Sequence, residues 1–600
     1  MFYNELEQAT KNIHKALSDL GLPHADRMDW VPTPFKGQWG FGTSACFQIA
    51  ASEAREGKKV NVPARAREIA ETLAAKFDKP ETFTRVEAEN GYLNLYIDPG
   101  LYAIRVVDTV IRQGKDFGRG PTQKERVMVE YMQPNTHHSV HIGHARNAAL
   151  GEALARLMEF AGFETIRASY PGDIGLGVIT CMWAYDKFHR GQEPDGIHER
   201  GQWLAKIYTE ANQLLSQKDD ETPEETAQRE AYEEERRQMY QRWDEGDEEI
   251  RRLWRETRQW SLDELEDILK MLDIEMDVYF FESQVVEPGK QITEELIELG
   301  IAEDERPDGP VIVKIDEKLG LKKEKYRTAV ILRSDGTTLY LTNDLALAKV
   351  KFEEHKVDRS IYVVDVRQSL HFQQVFQILK LWGYEQAEKC YHLAYGFVSL
   401  PEGAMSARRG NVILFMDVAE EAQRRVLNII AEKNPDLPVE ARSEVARQVG
   451  LGALVYSMLA VDNNKDTVFE WDSALSFDGQ SAPYIQNAHV RANSILKKIS
   501  QIPPQASFDY ELDPSEIDLI ERISQFPATV LKAAQDYKPL HMATYAYELA
   551  KSFHTFYHTV RVLQAESEAV VNARLRITAA ARQTLANALA LLAIEAPEVM

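Results

Sequence analysis

The feature that most constrains this chain is a short apolar run, V-M-V-E-Y from Val127 to Tyr131, that gives way at once to a polar loop and then to helical spacing. A run this short, bounded by turn residues, predicts a buried strand. Ala149, Ala153, Leu157 and Phe160, recurring between Ala145 and Gly162, predict the helix that follows. E-T-I-R-A-S-Y predicts the next strand, and P-V-I-V-K-I, Y-R-T-A-V-I-L-R, S-I-Y-V-V-D-V and Y-H-L-A-Y-G-F-V predict further ones. Strands alternating with helices predict an open, mostly parallel α/β sheet, whose ligands bind beyond the carboxyl ends of its strands.

At 600 residues the chain is far longer than one ordinary domain. Residues 1–120 read as a small α/β unit: helical periodicity from Leu6 to Leu20, a Gly/Pro-rich stretch, a helix around Ala64 to Phe77 and the alternating strand G-Y-L-N-L-Y-I-D. Gly118, Gly120 and Pro121 punctuate its end. Residues 121–420 hold the strand and helix units. At about 187–270 a charged run with Tyr and Trp at helical spacing interrupts them and predicts a solvated helical insertion with one packed stripe. After about Asp417 the chain reads as helical to Met600, as a connecting region, 421–475, and a terminal helical unit, 476–600.

The first residues lack the basic start and apolar core of a signal peptide, and no apolar run reaches about 18 residues, so a soluble cytoplasmic protein without membrane contact is expected. Cys46, Cys181 and Cys390 lie far apart with no C-x-x-C spacing, which argues against a disulfide framework and a cysteine-built zinc site. The net charge of -24 means that a nucleic-acid partner needs locally basic surface.

The loop Q-P-N-T-H-H-S-V-H-I-G-H-A carries His137, His138, His141 and His144. Metal binding is one reading, but no H-E-x-x-H arrangement is present and the residues fall in a loop, so no metal site is expected. Packing of core histidines is a second. The third is phosphate: Gly143 allows close approach, a helix starts at about His144, and its free N–H groups together with two imidazoles suit an anion such as a nucleotide triphosphate.

P-N-T-H-H-S-V-H-I-G-H, directly after a strand, resembles the H-I-G-H signature of class I aminoacyl-tRNA synthetases. The longer span from Val127 to Gly177, ending Y-P-G-D-I-G-L-G, is similar to arginyl-tRNA synthetases in particular, and the likeness covers nearly the whole chain. It implies a Rossmann-like parallel-sheet catalytic domain between an N-terminal domain set against the tRNA elbow and an all-helical anticodon-binding domain. It also implies an arginine–tRNA ligase: ATP, with Mg2+, activates L-arginine to arginyl-adenylate, and the 3′ end of tRNA(Arg) takes the arginyl group. A monomer that needs tRNA for activation and no editing domain belongs to the same expectation.

Carried over residue by residue, the resemblance implies catalytic roles for His141, Gly143, His144, Met405, Ser406, Arg408 and Arg409. It puts ATP against His138, His141, Gly143, His144, Asp173, Gly175, Gly396, Phe397 and Val398. Arginine falls to Glu130, Asn135, Tyr340, Asp344 and Gln368, a set that offers the carboxylates and neutral acceptors a planar five-donor cation requires. Asn94, Tyr484, Arg491, Lys497, Tyr557 and Arg561 are implied contacts for tRNA.

Two lysines of the family pattern are absent. Where a K-M-S-K signature stands in class I enzymes this chain has G-A-M-S-A-R-R-G-N-V-I, with Ala404 at the first lysine, and His138 stands where many family members have a lysine before H-I-G-H. Arg408, Arg409, a protonated His137 or His138, or magnesium are the candidate replacements, and Arg408 is expected to do most. The absences keep open a second reading, a synthetase-like chain that binds tRNA or a protein partner without catalysis.

Overall fold

V-M-V-E-Y supplies the central strand of a five-stranded sheet. A computed structural model describes residues 2–25, 28–33, 37–55, 60–218, 220–399 and 413–600. The strands lie in the order Tyr391–Tyr395, Arg359–Asp365, Arg126–Glu130, Glu164–Ser169 and Val278–Tyr279, each parallel to its neighbours. From Arg126–Glu130 the chain builds outward to one edge and then returns to lay down the other two strands on the opposite side. The switch point, where ligand crevices form in such sheets, therefore lies between the carboxyl ends of Arg126–Glu130 and Arg359–Asp365.

Two predicted strands leave this sheet. P-V-I-V-K-I becomes Val311–Lys314 and Y-R-T-A-V-I-L-R becomes Thr328–Leu332, paired antiparallel in a separate three-stranded sheet with Glu303–Asp304. The reason is the connection: residues 315–327 between them hold no helix longer than the one turn Ile315–Lys318, whereas a parallel neighbour needs a crossover, usually a full helix, to carry the chain back across the sheet. In place of those two, the two-residue strand Val278–Tyr279 forms the edge of the parallel sheet.

The N-terminal unit is a four-stranded antiparallel sheet, built from Trp30–Pro32, Gly40–Thr43, Phe83–Glu89 and Tyr92–Ile97, covered by helices Tyr3–Asp19, Ala45–Arg55 and Val62–Lys76. The charged run forms three helices, Ile197–Leu215, Pro223–Asp244 and Glu248–Met271, around a core of their own that holds Trp183, Trp243 and Trp254. From Phe415 the chain is helical except for Thr467–Val468, which pairs with Val398–Ser399. A single core runs from the N-terminal unit through one face of the parallel sheet into the terminal helices, and a second covers the other face. Across it Arg576 of helix Glu568–Leu591 pairs with Asp108 of helix Pro99–Gln113, and Asn587 donates to the Gly114 carbonyl at 3.0 Å. Among the described residues no helix is long and apolar enough to cross a membrane.

Candidate active site

The loop after the central strand is bent by two residues in the left-handed region, Met132 (φ 53°) and His137 (φ 65°). Hydrogen bonds hold both: Met132 N–H donates to Asn147 Oδ1, Ser169 Oγ donates to the Met132 carbonyl at 2.7 Å, and His137 N–H donates to Ser261 Oγ at 2.8 Å. The following helix, Ile142–Phe160, begins earlier than expected, because His141 is its N-cap. Gly143 N–H donates to His141 Nδ1 at 3.1 Å and His141 N–H donates to His144 Nδ1 at 3.2 Å, so the pair closes a capping box built from two histidines.

This cap assigns the tautomers. With each Nδ1 accepting, each neutral ring carries its proton on Nε2. The rings stack with centroids 3.7 Å apart, and a Cβ at position 143 would stand 3.0 Å from the His141 ring, so the stack itself calls for Gly143. Burial, then the neighbouring imidazoles, push His144 well below the usual histidine range, and burial brings His141 down to about 4. The element presents two uncharged N–H donors beside the free backbone N–H groups of a helix start, a combination suited to phosphate oxygens.

The other two histidines part company with this pair. His137 is fully buried, its Nε2 2.8 Å from Thr257 Oγ1, and burial lowers it to about 3. Protonation of His137, one of the expected replacements for a lysine, is disfavoured there, because the ring is buried against the Thr136 and Thr257 hydroxyls with the Arg258 cation nearby. His138 donates through Nδ1 to the Thr136 carbonyl at 3.1 Å, lies edge-on to Tyr208 of helix Ile197–Leu215 at 4.2 Å, and is also lowered by burial.

Beyond the strand ends lies an acidic pocket. The Tyr170 hydroxyl is raised well above the ordinary phenol range, first by burial and then by the charges of Asp344, Glu282, Glu130 and Asp173. Two of them hold internal cations. Glu130 is 2.6 Å from Lys351 Nζ, both side chains buried, with the ammonium 4.1 Å over the Tyr362 ring. Asp173, fully buried, pairs with Arg258 at 3.0 Å and accepts from Ser283 N–H at 2.9 Å and Ser283 Oγ at 2.7 Å. Glu130, expected on arginine, and Asp173, expected on ATP, have thus spent their charge inside the fold.

Asp344 and Glu282 have no such cation among the described residues. Asp344 meets His371, and Glu282 accepts from Asn343 Nδ2 at 3.2 Å. Burial pushes Glu282 up to about 7, with Asp173 and Asp344 adding to the rise and the Asn343 hydrogen bond opposing it. Around them, Tyr340 is 72% exposed at the first position of helix Tyr340–Glu353, one turn before Asp344. Asn135 is exposed, its Oδ1 where a Cβ at Gly172 would collide at 2.4 Å, and Gln368 is exposed at the N-cap of helix Ser369–Trp382. Glu282 gave no sequence signal, since the strand before it is too short to show a period. The burial of Lys351 likewise appears only in three dimensions.

Among the residues expected to border ATP, the Gly396 turn is held by the buried Arg146, which donates to the carbonyls of Gly396 (2.8 Å), Phe397 (3.1 Å), Asp462 (3.3 Å) and Asn463 (3.2 Å). Arg146 therefore ties the histidine helix to the turn at Gly396, Phe397 and Val398. Phe397 is exposed under the Arg367 guanidinium at 4.3 Å, whereas Val398 is buried. Gly175 (φ 107°) caps helix Leu176–Ala184. Ala404, Met405, Ser406, Arg408 and Arg409 lie outside the described residues. After them the chain returns beside the capping box: Ile142 N–H donates to the Ile413 carbonyl at 3.1 Å and Phe415 N–H to that of Val140 at 2.9 Å.

The expected tRNA contacts fall in two places. Asn94 is buried in the N-terminal sheet with its amide on Glu89 at 3.0 Å, so it presents no free side chain. Tyr484 and Arg491 line a cavity of about 660 Å³ in the terminal helical unit with Lys433, Phe477, His554, His558 and Met600. Arg491 Nη1 donates to His554 Nδ1 and His558 Nε2, each at 3.2 Å, below the 5.1 Å contact of its guanidinium with Tyr557. Lys497 pairs with Glu598 at 3.2 Å, and Arg561 is exposed.

Protein-family comparison matches residues 106–471 to the class I (R) tRNA synthetase catalytic domain, 7–97 to the arginyl tRNA synthetase N terminal domain and 485–600 to the DALR anticodon binding domain. The chain belongs to the arginyl-tRNA synthetase family. An arginine–tRNA ligase of Bdellovibrio bacteriovorus is 35% identical over 98% of this chain and 97% of its own length, and one of Halothermothrix orenii is 33% identical over 99% of each. The solved arginyl-tRNA synthetase of Thermus thermophilus superposes with a TM-score of 0.79 at 28% identity, covering 99% of this chain and 100% of that one. The Plasmodium falciparum arginyl-tRNA synthetase, at 17% identity and a TM-score of 0.74 over 99% of each chain, shares the fold. In this family member the three matched segments meet in one continuous core, with the paired imidazoles and the acidic pocket at the switch point of the sheet.

Proposed function

We infer that the acidic pocket takes arginine and the capped helix start takes the phosphates of ATP, so that the chain works as an arginine–tRNA ligase. One observation carries this: Glu130 and Asp173 are paired with Lys351 and Arg258, whereas Asp344 and Glu282, which meet His371 and Asn343, have no lysine or arginine partner among the described residues. A guanidinium with its fork of donors matches two carboxylates better than an ammonium does. The arginine carboxylate attacks the α-phosphate of ATP, giving arginyl-adenylate and pyrophosphate, and the terminal ribose hydroxyl of tRNA(Arg) then attacks the adenylate carbonyl, forming the arginyl ester and releasing AMP and the hydroxyl proton.

In the first step the protein moves no proton, so positioning and charge stabilisation supply the acceleration. His141 and His144 donate Nε2–H to phosphate oxygens, and their uncharged state costs nothing before ATP arrives. Tyr340, Asn135 and Gln368 ring the arginine, while Gly175 and the Gly396 to Val398 turn border the nucleotide. Met405, Ser406, Arg408 and Arg409 stay with the triphosphate in this proposal, Arg408 foremost, and Tyr484, Arg491 and Tyr557 with the anticodon. Among the described residues no group of three or more His, Cys, Asp or Glu side chains converges as a metal cage, so Mg2+ enters as the ion that accompanies the phosphates. A monomeric state and a cytoplasmic location complete the proposal. No observation favours a chain that only binds tRNA or a protein.

The test is exchange of pyrophosphate into ATP with arginine, with and without tRNA(Arg). Arginine-dependent exchange with tRNA present is expected, and exchange no higher than background under that condition would end the reading.

A further inference from the structure

One neighbour of the arginine pocket has no part in the scheme above. His371, in the first turn of helix Ser369–Trp382, sets its Nε2 2.5 Å from Asp344 Oδ2. Oδ1 has no hydrogen-bond partner among the described residues. The helix start that carries His371 is fixed by aromatic contacts: Phe372 stacks on His392 with centroids 4.7 Å apart and meets Tyr362 at a tilt, 5.0 Å away. His392 in turn anchors to the Val364 carbonyl at 2.9 Å.

The partners of the pocket's carboxylates differ in kind. Lysine at Glu130 and arginine at Asp173 bring permanent charges that cancel what they hold. An imidazole can donate through Nε2 in its neutral form, which fixes the plane of a carboxylate without adding a full charge. We propose that His371 is a positioning residue for arginine: it pins Asp344 through Oδ2 and turns Oδ1 toward the guanidinium, leaving the negative charge for the substrate. The inference rests on the arginine-pocket reading above.

Steady-state aminoacylation of tRNA(Arg) by the full chain separates the two. His371→Leu is expected to raise KM for arginine about tenfold or more, with kcat within about twofold and KM for ATP unchanged. His371→Gln, whose amide carries an N–H to the same oxygen, recovers most of the loss. Agmatine, which has the guanidinium but no carboxylate, weakens as an inhibitor by the same factor. A role confined to packing would lower kcat, or raise both Michaelis constants together, and glutamine would not rescue it. If Asp344→Asn raises KM for arginine while His371→Leu leaves it unchanged, the inference fails and the pocket stands. If Asp344→Asn also leaves it unchanged, the pocket reading fails and the inference goes with it. Should the leucine variant not fold, His371→Asn is read against His371→Gln, the shorter amide being expected to show the loss.

Discussion

Glu282 is the side chain whose protonation the pocket controls most directly. Burial raises it to about 7. Below that pH the free enzyme holds it neutral, and a guanidinium then meets one carboxylate instead of two. KM for arginine is therefore expected to rise as pH falls through about 7, and Glu282→Gln to flatten that profile at the high value. The stability linkage runs the other way. A carboxyl with a raised folded-state pKa favours the native state fully below its unfolded value and loses that contribution as pH rises toward the folded one. Arginine, which stabilises the ionised form, should accordingly shift thermal unfolding more at pH 8 than at pH 5.5. Lys351 makes a second residue-scale prediction, since Lys351→Met leaves the Glu130 carboxylate buried without a counter-charge, a loss of about 3–5 kcal/mol. The double variant with Glu130→Gln should recover most of it in denaturant unfolding.

The histidine helix joins local structure to chemistry, because Nδ1 of each ring is used in the helix cap and Nε2 is left as the remaining donor. His141→Asn keeps an acceptor at the cap and removes the outer donor. Unfolding is expected to stay near wild type while adenylate formation falls about 10²–10³-fold, the usual effect of losing one preorganised donor. His141→Ala should add about 1 kcal/mol of lost capping. A rate within twofold for the asparagine variant would show that Nε2 does not touch the phosphates. Much of this element was legible beforehand: strand, loop and helix follow from apolar spacing, but the sequence grouped His138 with His141 and His144 and did not foretell that His137 is buried on Thr257. What spacing cannot convey is partnership across the fold. Glu130 and Asp344 looked equivalent in the sequence, and only the burial of Lys351 beside one of them tells them apart. Asp173 reads as a loop residue at a Gly-rich turn until Ser283 and Arg258, far along the chain, close over it. The two strands that left the parallel sheet were legible as strands, but their pairing depended on the length of a connection and not on their own residues.

At the scale of the molecule, an RNA partner has to approach a chain of net charge -24. Association is then expected to depend on local cations such as Arg491, which donates to His554 and His558. Arg491→Ala should raise KM for tRNA(Arg) about tenfold without moving KM for arginine, and should make the tRNA dependence less sensitive to salt. Equal effects on both substrates would place Arg491 in the architecture and not in the contact. The core that passes unbroken from the N-terminal unit through the sheet into the terminal helices has its own consequence. It turns the chain into a gauge, with its jaws set during folding. An RNA carrying the right bases on a stem one turn too long is therefore expected to show a raised KM in aminoacylation, whereas an unchanged KM would mean that the spacing set by this core is not what the RNA meets.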